Sequence, residues 1–274
     1  MKILFRTLPL VASSLALAAG TASKSVAQAM PVCPTSGTAT RADMANYPDG
    51  CKATPERYQI VIYEMGICTS NPLSGTTYDP SSCVATYLNT SGQTVNLAGG
   101  TVSFNLDSGN PTDRPENGTY THAIIHIANT FGLRGSYELT GAGGATWYSD
   151  GQDSSVGTNA SSAISTAVNF TETLTTFGDP NSGCTPTAFE DLSGGRLEAL
   201  LVNSSNSSTC TGASKIIGSF APTSPLVIDD STTGMDVAFT VTNNGMSIGA
   251  DPNTGAIQSF MSGPFNPIIT VLSE

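Results

Sequence analysis

The chain has 274 residues, with 10 basic and 21 acidic side chains, a formal net charge of −11 and 39% hydrophobic residues. Binding a phosphate polymer needs a basic stripe that releases counterions, so this composition excludes nucleic acid as a partner, and the same shortage of cations argues against docking on anionic lipid. The length suffices for one large β domain or two small ones, and for a buried core without structural metal.

Lys2 and Arg6, the apolar run 8–19 and then Ala27-Gln28-Ala29 read as a secretory signal peptide. The apolar run is too short to cross a bilayer. Residues 1–29 are therefore expected to be removed, leaving a chain that begins at Met30 and carries 7 basic residues against 21 acids. No later segment approaches a membrane span, so the expectation is an exported protein, periplasmic, cell-surface or extracellular, without membrane insertion.

All six cysteines, Cys33, Cys51, Cys68, Cys83, Cys184 and Cys210, follow residue 29. An even count behind an export signal predicts paired thiols in an oxidising compartment. Many pairings are open to six cysteines, and bonding between chain neighbours is expected: Cys33 with Cys51, Cys68 with Cys83, Cys184 with Cys210. The absence of C-x-x-C, and of a cysteine beside a histidine, argues against a metal or redox centre.

Residues 30–56, rich in Pro, Thr, Ala and Asp, predict an irregular N-terminal arm pinned by a disulfide. From Arg57 the period becomes two. Tyr58, Ile60 and Ile62 fall on one face of a strand over 58–63 and Gln59, Val61 and Tyr63 on the other, with Gly66-Ile67-Cys68 ending it. The segment 69–82 reads as a surface loop that a Cys68–Cys83 bridge would close. Further strands are predicted at 84–88, 94–97, 101–106, 119–128, 135–140, 163–176, 196–203, 215–220, 226–228, 235–241, 256–261 and 268–272. The cleanest alternation sets Met235, Val237, Phe239 and Val241 against Asp236, Ala238, Thr240 and Thr242. No window of a dozen residues carries a helical stripe.

Short strands separated by Gly, Asn, Asp, Ser and Pro loops predict an all-β protein, an antiparallel β-sandwich, with a closed β-barrel or two small sandwiches as alternatives. One domain over 57–274 is expected, with a loop-rich insertion around 141–195.

His122 and His126 are the two histidines. On a strand that rises about 3.3 Å per residue their rings stand ~13 Å apart, too far to share an ion, and no G-x-S-x-G elbow accompanies them. Adjacent acids occur at Glu190-Asp191 and Asp229-Asp230, and Glu64, Glu138, Glu172 and Glu198 lie within or beside predicted strands; a glycosidase needs two such acids across a cleft. No catalytic residue or cofactor is assigned. Calcium is the cation that Asp107, Asn110, Asp113, Glu116, Asn117, Asp150, Asp153, Asp251 and Asn253 would suit, although ordinary turns use the same residues. Trp147 and Tyr148, followed by Asp150, form a candidate platform for a sugar ring.

The functional expectation is an exported, non-enzymatic structural or adhesive protein. It would associate with itself or with other surface proteins through sheet edges, using the uncharged strand 268–272 or the N-terminal arm. The alternatives are a glycan-binding module, with or without calcium, and an extracellular carbohydrate hydrolase.

Overall fold

A computed structural model of the protein describes residues 30–99, 102–105, 114–178, 183–192 and 194–274. The expected signal peptide, 1–29, lies outside the described residues, as do Leu106 of the strand predicted at 101–106 and Asp107, Asn110 and Asp113 of the calcium candidates. One short helix, α1 (Arg41–Met44), precedes the strands. These run β1 (Cys51–Ala53), β2 (Arg57–Cys68), β3 (Leu73–Ser74), β4 (Thr77–Tyr78), β5 (Cys83–Asn96), β6 (Val102–Asn105), β7 (Gly118–Tyr120), β8 (His122–Ala128), β9 (Thr130–Arg134) and β10 (Ser136–Glu138). They continue as β11 (Thr146–Ser149), β12 (Ala160–Ser161), β13 (Phe170–Thr173), β14 (Thr187–Leu192), β15 (Gly195–Val202), β16 (Lys215–Pro222), β17 (Leu226–Ile228), β18 (Thr232–Thr240), β19 (Met246–Ala250), β20 (Ile257–Ser262) and β21 (Asn266–Ser273).

The protein is all-β, its sheets antiparallel and curled. The large sheet is built on β2. One edge of β2 pairs with β5; the other pairs with β9 at Arg57↔Arg134 and with β8 as far as Cys68↔His122. β8 and β9 are two halves of one line of chain, interrupted at Asn129. On its far side the β9 half takes β13 and the β8 half takes β16, followed by β15 and β14. The sheet therefore forks at Asn129. Two three-stranded sheets, β21-β18-β6 and β1-β19-β20, supply the opposing layer. One core joins Ile60, Ile62 and Leu133 of the large sheet to Phe239 of one small sheet and to Ile248 and Phe260 of the other. Each such buried side chain contributes about 1.5–3 kcal/mol of transfer free energy, which is what holds the layers face to face.

The inward phase of β2 is interrupted once. Tyr58, Ile60 and Ile62 are buried, and so are Met65 and Ile67 three and five residues after Ile62. A β-bulge between Ile62 and Glu64 absorbs the extra residue. The strand thus runs through Gly66-Ile67-Cys68, the residues predicted to end it. Gly66 lies within the sheet, at a place where a Cβ would stand 2.5 Å from the Val84 carbonyl oxygen of β5.

Disulfides join Cys33 to Cys51, Cys68 to Cys83 and Cys184 to Cys210, and the described residues contain no free cysteine. The second of these closes the loop 69–82, whose β3–β4 hairpin folds back so that Leu73 and Tyr78 cover Leu200, Val202 and Ile217 on the outer face of the large sheet. The N-terminal arm is not wholly irregular: β1 is an edge strand on β19. The stretch 141–195, predicted as an insertion, contributes β13 and β14 to the large sheet. The uncharged terminal strand β21 closes its own sheet, pairing with β18 from Thr232↔Ser273 to Thr240↔Asn266.

Candidate functional site

Where the sheet forks, the two layers part and leave a half-open cavity of about 480 Å³. Alternation along the strands sends Ile125 and Ile127 of β8, Leu197 and Ala199 of β15 and Ile216 and Gly218 of β16 into its floor. Gly218 is a close fit, since a Cβ there would stand 3.0 Å from Ile125 Cγ2. Phe131, the segment from Glu172 to Gly178 and the turn from Met261 to Phe265 form the walls, and Met30 of the arm reaches the opening. The Cys184–Cys210 disulfide ties the chain that leaves the 174–178 wall to the β15–β16 turn, and Phe177 N donates to Thr185 O at 2.8 Å. Volume and lining match the usual small-molecule site, a largely apolar concavity with a few placed polar groups.

Three of those polar groups are acids: Asp153, Glu172 and Glu190. Glu172 is buried on β13, where it accepts the backbone N–H of Ser262 at the end of β20 and so links the large sheet to the opposing layer. Burial pushes its carboxyl above the ordinary range, with Asp153 adding to the rise; donors from Ser262 and Ser154 pull the other way. Beside it Tyr58 donates to Gly263 O at 2.6 Å, and its phenol is pushed up by burial and by the charge of Glu172. Glu190 is compensated. Lys52 Nζ of β1 lies 2.7 Å from its Oε1, with the lysine side chain 8% and the glutamate 18% exposed, so the arm is locked to β14 by a largely dry ion pair.

The opposite face of the sheet carries a second polar group. The bulge in β2 places Glu64 in register with His126. His126 Nδ1 lies 3.2 Å from Glu64 Oε2, and Nε2 lies 3.1 Å from the Tyr78 hydroxyl. A carboxylate can only accept, so a neutral imidazole donates from Nδ1 and accepts the Tyr78 proton at Nε2. Burial and the nearby Lys215 lower His126 to about 4, and burial raises the Glu64 carboxyl. The relay ties the Cys68–Cys83 loop to the sheet.

His122 is hydrogen-bonded locally to Thr121 Oγ1 at 2.9 Å, so the two histidines have separate partners. Trp147 and Tyr148 are consecutive on β11 and therefore face opposite sides of the strand, which separates the members of the predicted sugar platform. Trp147 packs on the core with the Arg41 guanidinium 5.9 Å from its ring centre, and Asp150 accepts Gln152 N at 2.9 Å in a local turn. Asp251 likewise accepts Asn253 N and Thr254 N, Asp153 accepts Ser155 N, and Asn117 donates to Asp230. Among the described residues no three His, Cys, Asp or Glu side chains are grouped to hold a metal ion. Of the acids named from sequence, the fold brings Asp153, Glu172 and Glu190 to one cavity; Glu198 lies on the outer face, bonded to Asn71 and Arg196.

No protein-family model, curated protein or solved structure matches the chain.

Proposed function

We propose that this is an exported binding protein which holds a small apolar molecule between its sheets. The observation that carries this reading is the cavity of about 480 Å³ at the fork, floored by aliphatic side chains. A largely apolar, half-open cavity of this size beside an otherwise close-packed core exposes surface that an apolar ligand would cover. Export is supported by the three disulfides, which belong to an oxidising compartment, and by the leader-like residues 1–29. The apolar lining favours this reading over a glycan site, because a sugar presents hydroxyls that need several convergent polar partners.

The test is titration with the uncharged dye N-phenyl-1-naphthylamine. Saturable binding near one dye per chain is expected, together with its loss in Ala199→Trp, which fills the floor. Failure of the dye to bind, or full binding by a folded Ala199→Trp, would refute the reading.

A second reading, an exported structural or adhesive protein that associates through its sheet edges, draws on Val227 and Ile268, 54% and 48% exposed on the neighbouring strands β17 and β21. Light scattering over a wide concentration range tests it, and a constant monomer mass would remove it.

A further inference from the structure

The cavity has a charge pattern as well as a volume. Asp153, Glu172 and Glu190 line it, and among the described residues its lining contains no lysine, arginine or histidine. Of the three, Glu190 alone is paired with a cation among the described residues, through Lys52. Glu172 and Asp153 thus have no cationic partner beside the apolar wall, where a low effective dielectric strengthens any charge pairing. Aromatic rings stand on the same side: Tyr58 close enough to Glu172 to feel its charge, Phe131 in contact with Tyr58 at 5.8 Å between ring centres, and Phe177 in the wall beyond β13. Buried acid beside aromatic faces is the chemistry that receives an ammonium group.

A structural role for Glu172, accepting Ser262 N, uses part of its capacity. A carboxylate has about four lone-pair sites, and the serine donors that reach it are neutral, so hydrogen bonding brings it no cation. An apolar ligand with an anionic end would meet repulsion here. One with a neutral end would leave the acids uncompensated.

We propose, resting on the cavity being a ligand site, that its natural ligand class is a primary amine with an apolar body, its ammonium group on Glu172 and its hydrocarbon over Ile127, Ala199 and Ile216. A bound amine supplies the cation that Lys52 supplies to Glu190.

The experiment is isothermal titration calorimetry of the disulfide-intact protein with three probes that share one frame: 4-phenylbutylamine, 4-phenylbutanol and 4-phenylbutanoate. At pH 8, where the amine stays protonated, it is expected to bind at least about tenfold more tightly than the alcohol, with the carboxylate weakest. In Glu172→Gln, whose amide oxygen can still accept Ser262 N, the amine should lose most of that advantage while the alcohol binds as before. The alcohol doubles as the check that the variant cavity is intact. Asp153→Asn should reduce the amine preference by a smaller factor, and the comparison of head groups in the unaltered protein stands even if Glu172→Gln fails to fold. Equal binding of the three probes, or an amine preference untouched in Glu172→Gln, would overturn the amine assignment and leave the cavity reading standing. Binding of none of the three would remove both.

Discussion

Asn129 Nδ2 donates to the carbonyl oxygen of Leu174 at 2.9 Å and also to that of Ala213 at 3.1 Å. These carbonyls belong to chain on either side of the fork, the first just after β13 and the second just before β16, so one buried side chain holds both prongs of the sheet at the cavity's root. Asn129→Ala would leave both acceptors without this donor. Counting about 1–1.5 kcal/mol for each bond, a loss of about 2–3 kcal/mol is expected in urea unfolding, with weaker dye binding. A variant as stable as the parent would mean that water or relaxation replaces the amide.

Lys52 and Glu190 bond the arm to β14 in a mostly dry setting. Lys52→Met leaves the glutamate uncompensated and is expected to cost about 3–5 kcal/mol, whereas Lys52→Met with Glu190→Leu should recover most of that loss, because two apolar side chains replace two desolvated charges. Additive losses in the double-mutant cycle would contradict the pairing.

The relay through His126 makes stability depend on pH. Its folded pKa, about 4, lies below its ordinary 6.5. The unfolded state therefore binds the proton first as pH falls, so the stability that neutral His126 contributes is full above about pH 6.5 and is lost progressively down to about pH 4, on the order of 3 kcal/mol in all. Glu64 and Glu172, raised by burial, act in the opposite sense, so the informative quantity is the difference between the parent and His126→Gln. That difference should shrink between pH 7 and pH 4, measured by urea unfolding. A constant difference would show that His126 titrates alike in both states.

A chain ending at Asn266 lacks all of β21 but its first residue. Because this strand pairs with β18 along its length and caps the core beside Met235, the truncated protein is expected to lose its cooperative unfolding transition. A stable truncated monomer that no longer self-associates would instead make β21 a donated strand.

The sequence states the parts of the fold that depend on local alternation. Lys215–Pro222 and Thr232–Thr240 appear where their inward sets Ile216, Gly218, Phe220 and Met235, Val237, Phe239 require. The pattern misleads where register breaks it: the bulge before Glu64 hides the continuity of β2, and Gly66 reads as a terminator although it lies under β5. β19 and β14 escape detection because Met246–Ala250 carries a glycine and Thr187–Leu192 two acids, and tertiary pairing overrides such weak propensity. Trp147 and Tyr148 suggest a platform only when the strand that turns them apart is overlooked. The cavity is not legible at all, because its floor and walls come from β8, β13, β15, β16 and the turn after β20, which nothing in the order of residues brings together. Glu172 is visible as an acid within a predicted strand, but its burial is a property of the fork.

The central claim is that the space between the sheets at Asn129 receives an apolar ligand. Methyl NMR with isoleucine labelling tests it most directly, because Ile125, Ile127 and Ile216 line the cavity while Ile60 and Ile248 lie in the core outside that lining and serve as references. On titration with 4-phenylbutanol, the account predicts saturable shifts at the first three and little change at the other two. Shifts that fail to saturate, or that spread equally over all five, would contradict it.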